Sequence, residues 1–306
     1  MMPSRYIDPT TDFGFKRLFG RRDSPESIEI LKGFLYDVLE LPYRIAELTF
    51  LPTEQVPEIA TERTGIYDVY CTDTEGNHFL VEMQRNRQSY YKERALYYAT
   101  FPITQQVRKG ESGPPFKLLP IYVTSVLNFR MDKKPAYLRR VQLADSETGE
   151  VFYKGLMFVF IELPKFTKSL EELVTGTDRW LYLLRHMPEM QGVPQELQLS
   201  PYELTFKLAE EAALSSEEWF SYQGSLKQTL DEQGLYHTGR AEGEEIGRAK
   251  GRTEGEQIGR MSREREIAEA LLREATDPAT VARITGLSLD EVEQLRAGLS
   301  ESRESS

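Results

Sequence analysis

The chain has 306 residues, 40% of them hydrophobic and 11% aromatic, with a formal charge of -11 and one cysteine. That composition is ordinary for a globular protein with a real core, and a lone cysteine excludes an internal disulfide framework. No stretch approaches the roughly 18 uncharged residues of a membrane span, and the opening MMPSRYIDPTTDFGFKRLF lacks the apolar centre of a signal peptide, so an intracellular, cytoplasmic protein with no membrane partner is expected.

In chain order, Ser27 to Glu40 has the spacing of a helix, with Ile28, Leu31, Leu35, Val38 and Leu39 as its buried stripe. Strand-like runs follow at 45–50, 66–71 and 79–84, then a helix over about 87–108 with Tyr91, Ala95, Tyr98 and Ala99 on one face, and further strands at 118–129 and 156–163. The order helix, three strands, helix, strand predicts a mixed α/β sheet over 1–165. Residues 166–235 form a helical region completing that domain, with Trp180, Leu183 and Leu184 in one packing stripe and Leu204, Leu208 and Ala212 in another. From 236 to 262 glycine recurs every fourth residue, Gly239 to Gly259. Each costs a helix about 1 kcal/mol relative to alanine, so the segment is either a linker, flexible or partly helical, or a helix in close contact with a second copy, as in a homodimer. A small helical appendage over 263–300 has an N-cap at Asp277 and a capping box at Ser288 and Glu291. It has the outline of a helix-turn-helix, but Asp290, Glu291 and Glu293 are the wrong charge for a DNA groove, which favours a docking or dimerising role.

Charge is distributed unevenly. Residues 85–140 carry twelve Lys or Arg, whereas 145–232 is predominantly acidic. The net charge alone argues against a nucleic-acid partner, yet a basic segment of this kind is either a solvated face or a phosphate-binding one.

It directly follows a hairpin, YDVYCTDTEGNHFLVEMQ, whose strands each carry an acid among apolar residues. Cys71, inside the first strand, is expected to be a small buried side chain. If Thr74, Glu75 and Gly76 form a three-residue loop with Gly76 left-handed, Asp73 pairs with Asn77, Asp68 falls opposite Glu82, and Gln84 opposite Ile66. A two-residue loop would put the acids on opposite faces. Opposed, desolvated carboxylates repel, and a divalent cation with two carboxylates, water, a carbonyl and a substrate phosphate resolves the conflict. Gln84 would point the same way and orient a water or hold a phosphate oxygen. The plain alternative is an acid at the solvent edge paired with Arg63 or Arg85.

Asp on one strand and Glu-x-Gln on the next, in that element order, resembles the PD-(D/E)XK nuclease superfamily. Within it the chain resembles the recombination-promoting nuclease (Rpn) and transposase family of bacteria. The likeness runs through DPTTDFGFKRLFG, FLVEMQ, KERALYYATFPITQQVRKGE, LLPIYVTSVLNF, FIELPKF, DRWLYLL, the glycine tetrads and ITGLSLDEVEQL. It implies a restriction-endonuclease-like core and a metal-dependent DNA endonuclease, linked to recombination or mobile elements. Asp68 and Glu82 carry over as Mg²⁺ ligands, with Mn²⁺ as a substitute, and the 85–140 segment would hold the DNA backbone. Gln84 stands where the wider superfamily has lysine, which leaves the positive charge to the metal or to a neighbour such as Lys16 or Arg94. Asp12 and Lys16 lie in the family-like opening motif, although Asp12 could instead only cap its helix. The competing expectation is a nuclease fold without turnover, serving in DNA binding or assembly.

Overall fold

The structure, a computed structural model, describes residues 4–55, 65–88, 90–106 and 117–304. The chain divides into two compact units, Met1–Glu232 and Gln233–Ser306.

The first unit opens with α1 (Asp12–Phe19) and α2 (Pro25–Leu39). Both start where a hydroxyl satisfies an orphan amide: Thr11 Oγ1 accepts from Gly14 N at 3.0 Å, and Ser24 Oγ from Ser27 N at 3.2 Å, with Pro25 pre-set for the first turn of α2. There follow β1 (Leu48–Phe50), β2 (Glu54–Gln55), β3 (Gly65–Ile66), β4 (Val69–Asp73), β5 (His78–Gln84), α3 (Tyr91–Gln105), β6 (Ile121–Leu127), β7 (Leu138–Ala144), β8 (Val151–Glu162), α4 (Gly176–His186), α5 (Tyr202–Ala209) and α6 (Ser216–Arg273).

Six strands form one mixed sheet in the order β1-β4-β5-β6-β8-β7, parallel at β5–β6 and β6–β8 and antiparallel elsewhere. The mixed α/β class is therefore as expected. Alternation divides the sheet into two apolar layers. Val69, Cys71, Phe79, Val81, Val159 and Ile161 pack with Phe19 of α1, Phe34 of α2 and Trp180 of α4. On the opposite face Tyr70, Leu80, Val123, Phe158 and Phe160 pack against Tyr91, Ala95 and Ala99, so α3 covers that face.

The β4–β5 turn determines what that face carries. Gly76 sits at φ +82°, its N–H donates to Asp73 O at 3.1 Å, and Asp73 N–H donates to Asn77 O at 3.2 Å. Asp73 Oδ1 also accepts from Glu75 N and Asn77 N, at 3.0 and 2.9 Å. This is the three-residue loop, and the ladder runs from Thr72↔His78 to Val69↔Val81.

Three expectations need correction. The first hairpin strand starts at Val69, because the chain bends at Asp68 and Ile66 pairs with Glu54 in a separate two-stranded ladder rather than opposite Gln84. Gln84 pairs instead with Leu127 on β6. Strand β7 is additional to the five runs read from sequence. The helix expected from residue 87 begins at Tyr91; residues 107 and 108, its expected end, lie outside the described residues.

In the second unit the long helix α6 is continuous through Gly239–Gly259, and apart from the helix's own neighbouring backbone no described atom lies within 4 Å of where a Cβ would stand on any of those six glycines. Pairs such as Arg240–Glu244 and Arg252–Glu256, each 2.8 Å, line the same stretch. α7 (Pro278–Thr285) and α8 (Leu289–Glu304) follow, and Ala268, Val281 and Val292 form a small core. The caps are the expected ones: Asp277 Oδ2 accepts from Thr280 N at 3.1 Å, and Ser288 and Glu291 bond reciprocally. Among the described residues no helix is long and apolar enough to cross a membrane.

A Cβ on Gly76 would lie 2.6 Å from Leu119 Cδ1 in a left-handed conformation. Gly76→Ala is expected to lower stability by about 1–3 kcal/mol, measured as a fall in the midpoint of thermal or urea unfolding.

Candidate metal and phosphodiester site

Asp68 lies at the bend immediately before β4. One further step in the β4–β5 register places it across from Glu82. Its Oδ2 accepts the Met83 N–H at 2.7 Å, so the side chain takes over a backbone donor where the chain leaves the sheet, and among the described residues nothing bonds its other oxygen. Glu82, in the middle of β5, is only 7% exposed, and its parallel neighbour on β6 is Ser125. Both acids are therefore on the face that α3 covers.

Helix α3 brings two more side chains in, Tyr91 from its first turn and Arg94 three residues on. The Arg94 guanidinium lies 3.6 Å from Glu82 Oε2, longer than a hydrogen bond. Its N–H groups donate instead to Gln84 Oε1 and, at 2.6 Å, to Gln88 Oε1, and its carbon sits 5.0 Å from the Tyr91 ring centre. Gln84 is held at both ends, since its Nε2 donates to Asn86 O at 3.1 Å.

Burial dominates the electrostatics. It lifts the Glu82 carboxyl to about 8, against the downward pull of Arg94 and with a further upward push from Asp68. Asp68 is also raised, chiefly by burial, with the Met83 N–H, Lys16 and Arg94 opposing and Asp12 adding to the rise. One guanidinium thus leaves the pair short of positive charge. Around the pair, among the described residues, Tyr91 OH, Ser125 Oγ and Arg94 Nε are buried without a hydrogen bond of good geometry, although the Tyr91 hydroxyl is near enough to Glu82 to pull its carboxyl down. Buried polar atoms are normally satisfied, so a cluster of orphans beside two under-compensated acids fits an added polar group. A hard divalent cation fits the donor set: two carboxylates, with the remaining oxygens from water, main chain or substrate. Among the described residues no group of three or more His, Cys, Asp or Glu gathers as a metal cluster.

The other sequence candidates are placed differently. Asp12 does not cap α1, because Thr11 does; it pairs with Lys16 one turn on, at 2.7 Å, and both are half exposed. Their charges reach Asp68, but Lys16 is not at Gln84, whereas Arg94 is. Arg85 pairs with Asp8 at 3.3 Å and Thr10 at 2.9 Å rather than with a site acid, and Arg63 lies outside the described residues. The basic segment is not uniformly available: Arg85, Arg94, Arg139 and Arg140 have internal partners, while Arg87, Lys92, Lys117, Arg130, Lys133 and Lys134 are exposed. Arg108 and Lys109 are not among the described residues. Sequence reasoning missed Tyr91 as anything but packing and missed Ser125 altogether. The available signal was two adjacent hydroxyls, Thr124 and Ser125, inside the apolar run IYVTSVL.

Compared with known proteins, residues 9–239 match the family model described as PD-(D/E)XK nuclease family transposase. No curated protein and no solved structure matches.

The folded-state pKa of Glu82 is above its ordinary 4.5, so the folded protein binds the extra proton and loses stability as pH rises from about 4.5 to 8. Glu82→Gln removes that loss. In EDTA at pH 8.5 the variant should therefore melt above wild type, by on the order of a few kcal/mol in stability, and the gap should shrink at pH 5.

Proposed function

Because the chain belongs to the PD-(D/E)XK nuclease transposase family, we propose that it is a divalent-metal-dependent DNA endonuclease that hydrolyses phosphodiester bonds at the Asp68–Glu82 site. The observation that supports this reading is the opposed acid pair, Glu82 buried and Asp68 partly buried, with Tyr91 OH, Ser125 Oγ and Arg94 Nε around it making no hydrogen bond of good geometry among the described residues. Asp68 and Glu82 would hold the cation, Mg²⁺ or Mn²⁺, through one free carboxylate oxygen of Asp68 and the carboxylate of Glu82. When bound, such an ion polarises a phosphodiester oxygen and lowers the pKa of an attacking water.

The chain's own groups supply the rest. Gln84 is a positioning residue: its Oε1 holds the Arg94 guanidinium at the place where the wider superfamily has a lysine. The Arg94 guanidinium, 3.6 Å from Glu82 Oε2, is the cation that would meet a phosphate oxygen as charge develops. The apolar layer of α3 excludes water from these contacts, which strengthens them. Exposed cations of the 85–140 segment would hold the backbone without reading bases.

A second reading, a nuclease fold without turnover, is favoured by one observation: both ends of the Gln84 amide are already bonded, so it has little left to offer water. Two measurements decide. Supercoiled plasmid should be nicked in Mg²⁺ and not in EDTA, with Asp68→Ala and Glu82→Gln reducing the rate by at least about 10²-fold, Arg94→Ala by about 10²-fold, and Arg94→Lys recovering part of it. Calorimetric titration with Mn²⁺ should show heat in wild type and none in Asp68→Ala. Equal nicking by wild type and Asp68→Ala would overturn the assignment, and an absence of Mn²⁺ binding to wild type would favour the non-catalytic reading.

A further inference from the structure

The parallel strands β5, β6 and β8 end on one edge of the sheet, where ligands of open α/β sheets commonly sit. A cavity of about 500 Å³ opens there, lined by Arg87, Arg130, Lys133, Lys134 and Lys165 with a single carboxylate, Asp132. Behind its lining residues Met131 and Lys165 stands Glu162, the last residue of β8 and fully buried. Glu162 accepts from Met131 N at 2.7 Å, pairs with Lys165 at 2.7 Å and with Arg139. Asp132 takes Arg139 at 2.7 Å, Lys165 at 3.2 Å and the Lys134 N–H at 2.9 Å.

These contacts sort the charges. Two acids neutralise Arg139 and Lys165 and pin the β6–β7 connection from below. Arg130 is tied by one bond, from Nη2 to Pro164 O at 3.2 Å, and among the described residues no carboxylate pairs with it or with Arg87, Lys133 or Lys134. Three uncompensated cations on one pinned loop, joined by Arg87 from the segment after β5, line one cavity, and that makes it a site for oxyanions.

Its place relative to the acids is also set by the chain. Arg87 follows Gln84 by three residues, and Arg130 follows Leu127, the β6 partner of Gln84, by three. Three residues span at most about 10 Å, about the rise of three nucleotides along one strand. We propose that this cavity is a phosphate clamp for the DNA strand leaving the Asp68–Glu82 site, gripping backbone phosphates about three nucleotides from the bond that is cut. The clamp rests on the endonuclease reading for its substrate, but not on turnover.

The test is DNA binding in EDTA, measured by fluorescence anisotropy with a short labelled duplex across a salt series, using wild type and Arg130→Ala/Lys133→Ala/Lys134→Ala. These are surface changes, and an unchanged thermal midpoint confirms the variant's fold. The expected result is at least tenfold weaker binding and a log–log salt slope shallower by about 2.7, from roughly 0.9 for each phosphate that is no longer neutralised. Neutral methylphosphonates in place of the duplex phosphates should weaken wild type, and the variant should lose less affinity from the same replacement. Unchanged affinity and slope in the variant, or a wild type that does not bind the duplex, would overturn the clamp. Binding that behaves as described in a protein that never nicks DNA would sink the endonuclease reading and leave the clamp standing.

Discussion

Two carboxylates are held across one ladder inside an apolar layer, and the surrounding structure answers that constraint. Removing acids from water costs several kcal/mol unless charge or hydrogen bonds compensate. Here the compensation is partial: Asp68 has one backbone N–H, Glu82 has a guanidinium beyond bonding distance and the Tyr91 hydroxyl nearby, and burial still leaves the Glu82 carboxyl near 8. A protein selected only for stability would put leucine at such a position. The glycine turn, the bend at Asp68 and the arrival of Tyr91 and Arg94 from α3 all serve to bring this unfavourable pair together.

The cations are arranged in a complementary order. Those with acid partners, Arg139 and Lys165, lie beneath the β6–β7 connection and hold it in place, while Arg130, Lys133 and Lys134 project from it. A net charge of -11 thus coexists with a locally positive edge. Partner chemistry follows from the local field, because a surface charge more than about a Debye length away is screened.

The hairpin register was legible because it is local: a loop length, a glycine able to adopt positive φ and a side-chain period of two decide it. Helix α2 and the caps at Asp277 and Ser288 were legible for the same reason. What escaped was non-local. Nothing in residues 66–71 announces that Ile66 pairs with Glu54 while Val69 joins the hairpin. Strand β7, LRRVQLA, is an edge strand with Val141 and Leu143 half exposed, so its pattern lacks an apolar face. The pairing of Arg85 with Asp8, across 77 positions, is likewise invisible in either segment alone. At the site, Asp68, Glu82 and the proximity of Arg94 could be anticipated from strand and helix spacing, whereas Ser125 enters only through the parallel pairing of β5 with β6.

The only cysteine lies inside this same hairpin. Cys71 is fully buried on β4, paired with Phe79, and burial raises its thiol pKa far above the ordinary value. A thiol so placed reacts with an alkylating reagent only when β4 separates from its neighbours, so the alkylation rate measures how often the ribbon opens. The molecule therefore carries its own clock for the element that positions Asp68 and Glu82, readable by mass spectrometry with no residue introduced to report it.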